Sequence, residues 1–305
     1  MTVQRIGWIG TGVMGQAMCG HLLAAGHRLT LFNRSPDKAR PLLEKGAVWA
    51  DSPQAVAEKS DIVFTMVGFP EDVREVVLGD TGVVAGSRPG TTVVDMTTSS
   101  PDLAQTIYRD CAAKGIKALD APVSGGDVGA REATLAIMVG GDQPVFEAVK
   151  PLLAIMGKTI VRMGGAGTGQ HTKMANQILV AGTMIGVVES LLYAQRAGMD
   201  AHGVIDVIGS GAASSWAINN LGRRIAGGDF NPGFYIKHFV KDMGIALEAA
   251  RRANLCLPGL ALVNQLYVAA MAMGLENLGT QGLYQVLATL NRRTATASPA
   301  GASIQ

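Results

Sequence analysis

The stretch that decides the fold is Ile6-Gly7-Trp8-Ile9-Gly10-Thr11-Gly12-Val13-Met14-Gly15. Its last six residues have the spacing G-x-G-x-x-G, directly after an apolar strand pattern and directly before a helical pattern that Gly26 ends. In such a turn Gly10 permits the tight bend, Gly12 leaves room for a pyrophosphate, and Gly15 lets helix and strand touch. The helix then presents its first amides to the phosphates. We therefore predict that residues 10–15 bind a dinucleotide.

The end of the second predicted strand, Arg28–Phe32, is where such a domain meets the adenosine ribose of its cofactor. The next residues are Asn33-Arg34-Ser35, and none of them is acidic. The Arg34 guanidinium can pair with a 2′-phosphate, and Asn33 and Ser35 can act as neutral donors. These residues favour NADP(H). The alternative, that Arg34 is a solvated surface residue, leaves NAD(H) as the cofactor.

Short β-branched runs alternate with helical patterns along the first half of the chain. The predicted strands are Ile6–Ile9, Arg28–Phe32, Ile62–Val67, Thr92–Asp95, Ile116–Leu119, Leu135–Val139 and Thr159–Arg162. Helical stretches such as Met14–Ala25 and Pro101–Lys114 lie between them. Alternation of this kind predicts a parallel sheet that is covered by helices on both faces.

After Gly164 the pattern becomes helical. Residues 165–169 read Gly-Ala-Gly-Thr-Gly. Gln170–Gln195 then contains no proline, which predicts a helix about 39 Å long. This helix is apolar on nearly all sides, so we expect burial on most of its faces, including by a partner subunit. Gly182 and Gly186, four residues apart, would let another helix approach closely.

The sequence thus predicts an α/β fold. An N-terminal Rossmann-type doubly wound parallel sheet is followed by an all-α C-terminal domain, and a long interdomain helix joins the two. We assign residues 1–164 to the dinucleotide-binding domain and 165–293 to a helical domain for substrate binding and oligomerisation. Residues 294–305 are small and polar, and we expect a flexible tail. The expected assembly is a homodimer or homotetramer.

The composition indicates which binding partners and which cellular location to expect. The 305 residues carry a net charge of +2, only 16% are charged, and no Lys/Arg run exceeds two residues. Cys19, Cys111 and Cys256 are far apart, which favours reduced thiols over disulfides. The longest apolar run, Ile178–Val188, is shorter than the ~20 residues that span a bilayer, and the N-terminus lacks the pattern of a signal peptide. We expect a cytoplasmic protein with no metal, nucleic-acid or membrane partner.

Two further segments have the residue types of a substrate site. Ser124-Gly125-Gly126 follows a strand end, and its hydroxyl and backbone amides can form an anion site suited to a carboxylate; a plain turn is the alternative. Lys173 and Asn176 are three residues apart, so they project from one face of the long helix. Burial of an uncompensated ammonium is costly. From the residues alone, a lysine whose charged end reaches water at a helix end is the open alternative.

Four separated motifs carry a resemblance to a known family. They are the opening stretch above, Asp120-Ala121-Pro122-Val123-Ser124-Gly125-Gly126, Gly167-Thr168-Gly169-Gln170-His171-Thr172-Lys173-Met174-Ala175-Asn176-Gln177, and Lys241-Asp242. With these motifs in this order, the sequence resembles the β-hydroxyacid dehydrogenases. That family includes 3-hydroxyisobutyrate dehydrogenase, tartronate semialdehyde reductase and glyoxylate/succinic semialdehyde reductases.

The resemblance implies roles for particular residues. It assigns the binding of a substrate carboxylate to Ser124, Gly125 and Gly126. The family's catalytic lysine, the general acid/base, falls on Lys173. Asn176 would hold the substrate oxygen or the lysine in place.

The resemblance also implies a set of cofactor contacts. Lys241 matches a lysine that reaches both cofactor and substrate, and Thr98 matches a position that contacts the nicotinamide half. Met66 and Val67, at the end of a strand, would border the adenosine side.

The expected activity is reversible hydride transfer between NAD(P), with NADP favoured, and a small 3-hydroxy acid or its semialdehyde. Two alternatives stay open. One is an imine reductase of the same architecture, a class that usually lacks a lysine at the position of Lys173. The other is a non-catalytic protein that only binds NADP, which would need none of the four residues Ser124, Lys173, Asn176 and Lys241.

Overall fold

A twisted sheet of short apolar strands forms the first part of the chain in the computed structural model, which describes residues 2–291. The strands are β1 Arg5–Ile9, β2 Arg28–Phe32, β3 Val48–Trp49, β4 Ile62–Thr65, β5 Thr92–Asp95, β6 Lys117–Asp120, β7 Val123–Ser124, β8 Leu135–Gly140 and β9 Gly157–Gly164. Among the described residues the sheet has nine strands in the order β3-β2-β1-β4-β5-β6-β8-β7, with β9 beside β8. The predicted tail, 294–305, lies outside the described residues.

The seven predicted strands are all present, and the fold class is confirmed. The six strands from β3 to β6 are parallel neighbours in the 3-2-1-4-5-6 order of a dinucleotide-binding domain. The sheet is not parallel throughout, because β8 runs antiparallel to both β6 and β7. The sequence analysis also missed β3 and β7, since two residues are too few to show an alternating pattern.

Helices cover the sheet and make up the rest of the chain. They are α1 Val13–Ala24, α2 Arg40–Leu43, α3 Pro53–Glu58, α4 Pro70–Leu78, α5 Val83–Gly86, α6 Pro101–Ala112, α7 Gly126–Arg131, α8 Gln143–Leu153, α9 Thr168–Arg196, α10 Ala201–Ile208, α11 Arg223–Ala226, α12 Ile236–Arg252, α13 Pro258–Ala272 and α14 Leu283–Leu290. Short 3₁₀ turns at Pro36–Ala39 and Thr280–Gly282 and a π-helical turn at Ala217–Gly222 complete the set.

The sheet is buried on both faces by two separate apolar clusters. Successive residues of a strand point to opposite faces, so Val63 lies in one cluster and Phe64 in the other, and Val93 and Val94 divide in the same way. Phe64 stacks on Trp8 with 5.5 Å between the ring centroids. Burial on both faces explains why these strands are continuous apolar runs rather than alternating ones.

The chain divides into two compact units. Among the described residues, the first comprises 2–179 with His238–Leu260, and the second comprises Val180–Lys237 with 261–291. Helices dominate the second unit, and its only β-pairing among the described residues is an isolated bridge between Tyr235 and Gly279. The domain border that we placed after residue 164 stays a prediction.

The long helix α9 begins two residues before the predicted start and ends one residue after the predicted end. Its length, and a mean hydropathy of 1.5 over its most apolar window, also meet the criterion for a membrane-spanning helix. Core helices of soluble proteins meet the same criterion, so the length and hydropathy of α9 do not show that it spans a membrane.

Candidate active site

The turn between β1 and α1 is open above one glycine and closed above the other two. No protein atom lies within 4 Å of the place where a Cβ on Gly12 would stand. Gly10 has a φ of +97°, and a Cβ there would overlap the carbonyl oxygen of Met66. A Cβ on Gly15 would overlap the carbonyl oxygen of Gly10. A dinucleotide pyrophosphate fits this turn, because the space above Gly12 is free and the backbone amides at the start of a helix favour an anion.

Neighbouring side chains hold the turn in place. The Trp8 indole donates from Nε1 to the carbonyl of Gly10 at 2.8 Å. The backbone amide of Thr11 donates to Oδ1 of Asn33 at 2.9 Å, and Nδ2 of Asn33 donates to the carbonyl of Ser35 at 2.8 Å. Asn33, predicted to face the ribose, therefore uses both ends of its amide within the protein. The Thr11 hydroxyl is buried without a hydrogen-bond partner in residues 2–291, which leaves one polar atom of the turn unsatisfied.

Arg34 lies at the surface, and its side chain is 87% exposed. Its guanidinium pairs with Oδ1 of Asp72 at 3.2 Å. The other oxygen of Asp72 accepts the backbone amide of Phe69 at 3.1 Å, which fixes the carboxylate at the start of α4. Ser35 is exposed beside Arg34. Both side chains are accessible to a ligand.

The other predicted cofactor residues surround the glycine turn. Val13, which is 55% exposed, and the half-buried Met14 form the first turn of α1. Met66 and Val67 follow β4, and both lie against Gly10. The Val67 amide donates to the Thr97 hydroxyl at 3.0 Å. The segment after β4 is thereby tied to the segment after β5.

A buried carboxylate orders the segment after β5. Oδ1 of Asp95, the last residue of that strand, accepts the Thr65 hydroxyl at 2.7 Å and the Thr97 amide at 3.1 Å. Only 4% of Asp95 is exposed, and burial raises its pKa to about 6 against the opposing effect of the hydrogen bonds. The nearby charge of Asp120 raises this pKa further.

A second buried carboxylate, at the end of β6, holds the start of α9. Asp120 accepts the amide of Gly167 at Oδ1, at 2.7 Å, and the amide of Gln170 at Oδ2, at 2.8 Å. A negative charge is favourable at the N-terminus of a helix, where backbone amides lack intrahelical partners. Burial raises the pKa of Asp120, and the backbone hydrogen bonds oppose that rise.

Lys173 lies one turn into α9 and is 7% exposed. Its ammonium group makes no hydrogen bond and no ion pair within residues 2–291. Burial lowers its pKa from 10.5 to about 8. The charge of Asp242 opposes this decrease, whereas the charge of Lys241 adds to it. The lysine can therefore gain or lose a proton near neutral pH.

A chain of polar contacts connects Asn176 with Lys241. Nδ2 of Asn176 donates to Oε1 of Gln177 at 2.8 Å, and Nε2 of Gln177 donates to Oδ2 of Asp242 at 2.6 Å. The Lys241 ammonium lies 3.0 Å from Oδ1 of Asp242 and donates to the Thr98 carbonyl at 2.6 Å. The structure thus brings Asn176, Lys241 and Thr98 into one network.

Ser124 ends β7, Gly126 begins α7, and Gly125 lies between the two elements. Ser124 is half-buried and pairs with Ala136 of β8. Gly125 has a φ of +134°, which a side chain would make unfavourable. Within the described part of the chain, the Ser124 hydroxyl makes no hydrogen bond and the segment makes none to Lys173, Asn176 or Lys241. The substrate-binding role of the segment stays a prediction.

Comparison with known proteins identifies the family. Residues 5–165 match the model of the NAD binding domain of 6-phosphogluconate dehydrogenase. Residues 167–287 match the family model described as NAD-binding of NADP-dependent 3-hydroxyisobutyrate dehydrogenase. The chain belongs to the β-hydroxyacid dehydrogenase family. It is accordingly an NAD(P)-dependent oxidoreductase that acts on the CH–OH group of hydroxy acids.

Similarity to individual family members extends over almost the whole chain. A probable mitochondrial 3-hydroxyisobutyrate dehydrogenase-like protein of Arabidopsis thaliana is 50% identical over 96% of this chain and 88% of the relative. The 2-hydroxy-3-oxopropionate reductase of Escherichia coli is 43% identical over 93% of this chain and 97% of the enzyme.

Solved structures of other proteins have a similar fold. The 3-hydroxyisobutyrate dehydrogenase of Mycobacterium tuberculosis, with L-serine, has a TM-score of 0.85 at 31% identity and covers 95% of this chain and 100% of its own. A protein named Psf3, in complex with NADP⁺ and 2-OPP, has a TM-score of 0.86 at 26% identity, over 92% of this chain and 99% of its own. An imine reductase of Myxococcus stipitatus has a TM-score of 0.62 at 20% identity, over 92% and 99%, and shares the fold alone.

Sequence reasoning overlooked the polar residues that support the lysines. Asp120, Gln170, Gln177 and Asp242 are each at most 4% exposed and lie in the motifs quoted above, but none received a role. Two signals could have identified three of them. Asp120 is a polar residue at the end of a buried strand, and Gln170 and Gln177 have the spacing from Lys173 that places residues on one helix face. The partners of these side chains are distant in sequence, so the spacing alone could not supply them.

Burial of Asp95 makes part of the stability of the protein depend on pH. Its pKa of about 6 in the folded state lies above the ordinary value of 3.8. The folded state therefore holds a proton that the unfolded state releases, and stability falls as pH rises from about 4 to about 6. Over this interval the free energy of unfolding of the wild type should fall by up to about 3 kcal/mol, and Asp95→Asn should abolish this fall. Urea denaturation at several pH values measures the difference.

A matched control is Asp37→Asn, because the Asp37 side chain is 86% exposed. That variant should keep the wild-type dependence on pH. If Asp95→Asn also keeps it, the dependence does not arise from Asp95.

Proposed function

We propose that the protein transfers a hydride reversibly between NADP(H) and a small 3-hydroxy acid or its semialdehyde, with Lys173 as general acid/base. The observation that carries this proposal is the buried, unpaired ammonium of Lys173, whose pKa of about 8 allows both protonation states near neutral pH. A group of this kind is suited to proton transfer rather than to structural support.

The nicotinamide, when bound, supplies or accepts the hydride. In the direction of reduction, the Lys173 ammonium donates a proton to the carbonyl oxygen of the substrate. In the direction of oxidation, the neutral amine takes the hydroxyl proton. Asn176 holds the substrate oxygen or the amine by a hydrogen bond, and the contacts of its amide with Gln177 fix its orientation.

Anion binding selects the substrate. Ser124 and the backbone amides of Gly125 and Gly126 bind the carboxylate, and the exposed Gly125 leaves that side of the segment accessible. The Lys241 ammonium, which also lies 3.1 Å from the carbonyl of Gly68, adds a positive charge for cofactor and substrate. The named activities of the relatives on small hydroxy acids support this substrate class.

The preference for NADP rests on Arg34. Its guanidinium is exposed directly after β2, where the cofactor ribose is expected. An NADP⁺ complex of a protein with the same fold and the description of the second family model support the same choice. The cytoplasmic location stays a prediction, because one relative is named mitochondrial.

The proposed assembly is a homodimer or homotetramer. α9 exposes a largely apolar stripe in which Leu179 is 72% and Tyr193 is 76% exposed, with Glu189 as a charged residue near one end. Between Leu179 and Tyr193, a Cβ on Gly182 or Gly186 would meet no atom within 4 Å. A second copy of the chain would bury this stripe, which is long and apolar for a surface exposed to water.

Lys173→Ala should reduce kcat by about 10²-fold or more with NADPH and a panel of short semialdehydes and glyoxylate. The wild-type rate of reduction should fall above about pH 8 because the acid is lost, and the rate of oxidation should rise towards that pH because the base forms. Absorbance of NADPH measures both. The exposed Lys158→Ala is the control and should behave as wild type.

If the wild-type protein binds NADPH and reduces no member of the panel, the proposed activity is wrong for these substrates. Turnover of cyclic imines would then favour an imine reductase, and binding without oxidation of NADPH would favour a non-catalytic protein.

Arg34→Ala should weaken NADPH binding by about tenfold or more, since a charge-assisted contact to a 2′-phosphate contributes about 1.5–3 kcal/mol. The Kd for NADH should change by less than about twofold because NADH lacks this phosphate. Fluorescence titration with each nucleotide gives both values. Equal Kd values of the wild type for the two nucleotides would contradict the preference.

Light scattering at micromolar concentration should give at least twice the mass of one chain. Gly186→Glu should yield monomers, since it adds a charge to the stripe while glutamate favours a helix more than glycine does. Gly259→Glu, an exposed glycine of α13 with no atom within 4 Å of its Cβ position, is the matched control. A monomeric wild type would refute the assembly.

A further inference from the structure

Gln170 is completely buried, and both ends of its amide bind the same short segment. Its Oε1 accepts the backbone amide of Ser99 at 2.9 Å, and its Nε2 donates to the carbonyl of Thr97 at 2.7 Å. The segment follows β5, whereas Gln170 lies in the first turn of α9. The side chain therefore clamps the start of the helix to the end of another strand.

Thr98, which lies between the two residues that Gln170 contacts, binds Lys241. The carbonyl of Thr98 accepts the Lys241 ammonium at 2.6 Å. One short segment thus binds Lys241 directly and binds α9 through Gln170. Lys173 follows Gln170 by three residues on the same face of the helix.

The position of Lys173 depends on this arrangement because its own side chain is not held. The Lys173 ammonium makes no hydrogen bond within residues 2–291, so the placement of its backbone decides where it lies. The backbone at this end of α9 is held by the Asp120 carboxylate, which accepts the amides of Gly167 and Gln170. Asp120 restrains the main chain at the start of α9, and the Gln170 side chain sets the position of that main chain relative to Thr98.

We propose that Gln170 is a positioning residue that fixes Lys173 relative to the segment holding Lys241. This inference rests on the proposed acid/base role of Lys173. Gln170 touches neither substrate nor cofactor in this role; it acts through the helix. A displacement of about 1 Å at a reacting group can reduce a rate by about 10²-fold, so a clamp of this kind affects turnover directly.

The clamp uses one acceptor and one donor at the end of a single side chain, which an amide supplies at every pH. Glutamate at this position could still accept from Ser99, but its second oxygen would face the carbonyl of Thr97 and could not donate to it when ionised. Methionine has a similar shape and makes neither bond. Gln170→Met therefore removes both contacts with little change in volume, and Gln170→Glu removes one.

The test is a double-mutant cycle of Gln170→Met with Lys173→Ala, measured with NADPH and the best substrate of the panel. Gln170→Met alone should lower kcat by about tenfold or more and leave the Kd for NADPH within about twofold. In the Lys173→Ala background, the same substitution should change the residual rate by less than about twofold, because the lysine through which it acts is absent. Gln170→Glu should lie between the wild type and Gln170→Met.

The pH profile is a second readout that a purely structural role would not move. The groups that act on the charge of Lys173 are Asp242 and Lys241 on α12, and burial lowers its pKa. A loosened start of α9 admits water to Lys173 and weakens the effect of burial. The fall in the rate of reduction near pH 8 should therefore occur at higher pH in Gln170→Met.

Gln143→Met is the matched control, because Gln143 is exposed and, within residues 2–291, its side chain bonds only to Glu147, at 2.5 Å. It should leave kcat and the pH profile unchanged. Equal fold-losses of Gln170→Met with and without Lys173 would overturn the inference, as would an unshifted profile. If Gln170→Met does not fold, Gln170→Glu replaces it in the same cycle. A wild-type rate in Lys173→Ala would instead refute the proposed function.

Discussion

The acceptance of two backbone amides by the Asp120 carboxylate is the interaction on which the rest of the site depends. It joins the end of a central strand to the first turn of the longest helix, although the residues involved lie far apart in the sequence. Hydrogen bonds to a charged group contribute about 1.5–3 kcal/mol each, and a carboxylate with this little exposure would be costly without them. The helix that carries Lys173 therefore starts at a position fixed by the sheet.

Parallel pairing explains why these contacts converge. Ile9, Thr65, Asp95 and Asp120 occupy equivalent register positions on neighbouring strands. Each strand consequently ends at the same edge of the sheet, and the segments that follow lie side by side. The glycine turn, the pair Met66–Val67 and the segment around Thr98 are neighbours for this reason, as expected for ligand sites in open α/β sheets.

Local patterns in the sequence were sufficient for the main features of the fold. The glycine spacing, the β-branched runs and the proline-free helix each express a property of consecutive residues, and each predicted element was found. The strand β8 was predicted, but its antiparallel direction was not, because strand direction depends on pairing, which composition does not encode. The same limit applies to the site: Lys173 was assigned through the resemblance to the family, whereas the contacts of Gln170 and Asp242 join residues distant in the sequence.

The contrast between the exposed Arg34 and the buried polar network has a consequence for which substitutions the fold tolerates. The surroundings of Arg34 are water and one carboxylate at the surface, so substitutions there meet few steric demands. Asp120 lies against Gly140 and Gly169, where even a single added carbon would overlap its oxygens, and Gln170 has no contact with solvent. A single substitution at Arg34 is therefore compatible with the fold, whereas Asp120, Gly140, Gly169 and Gln170 can change only together.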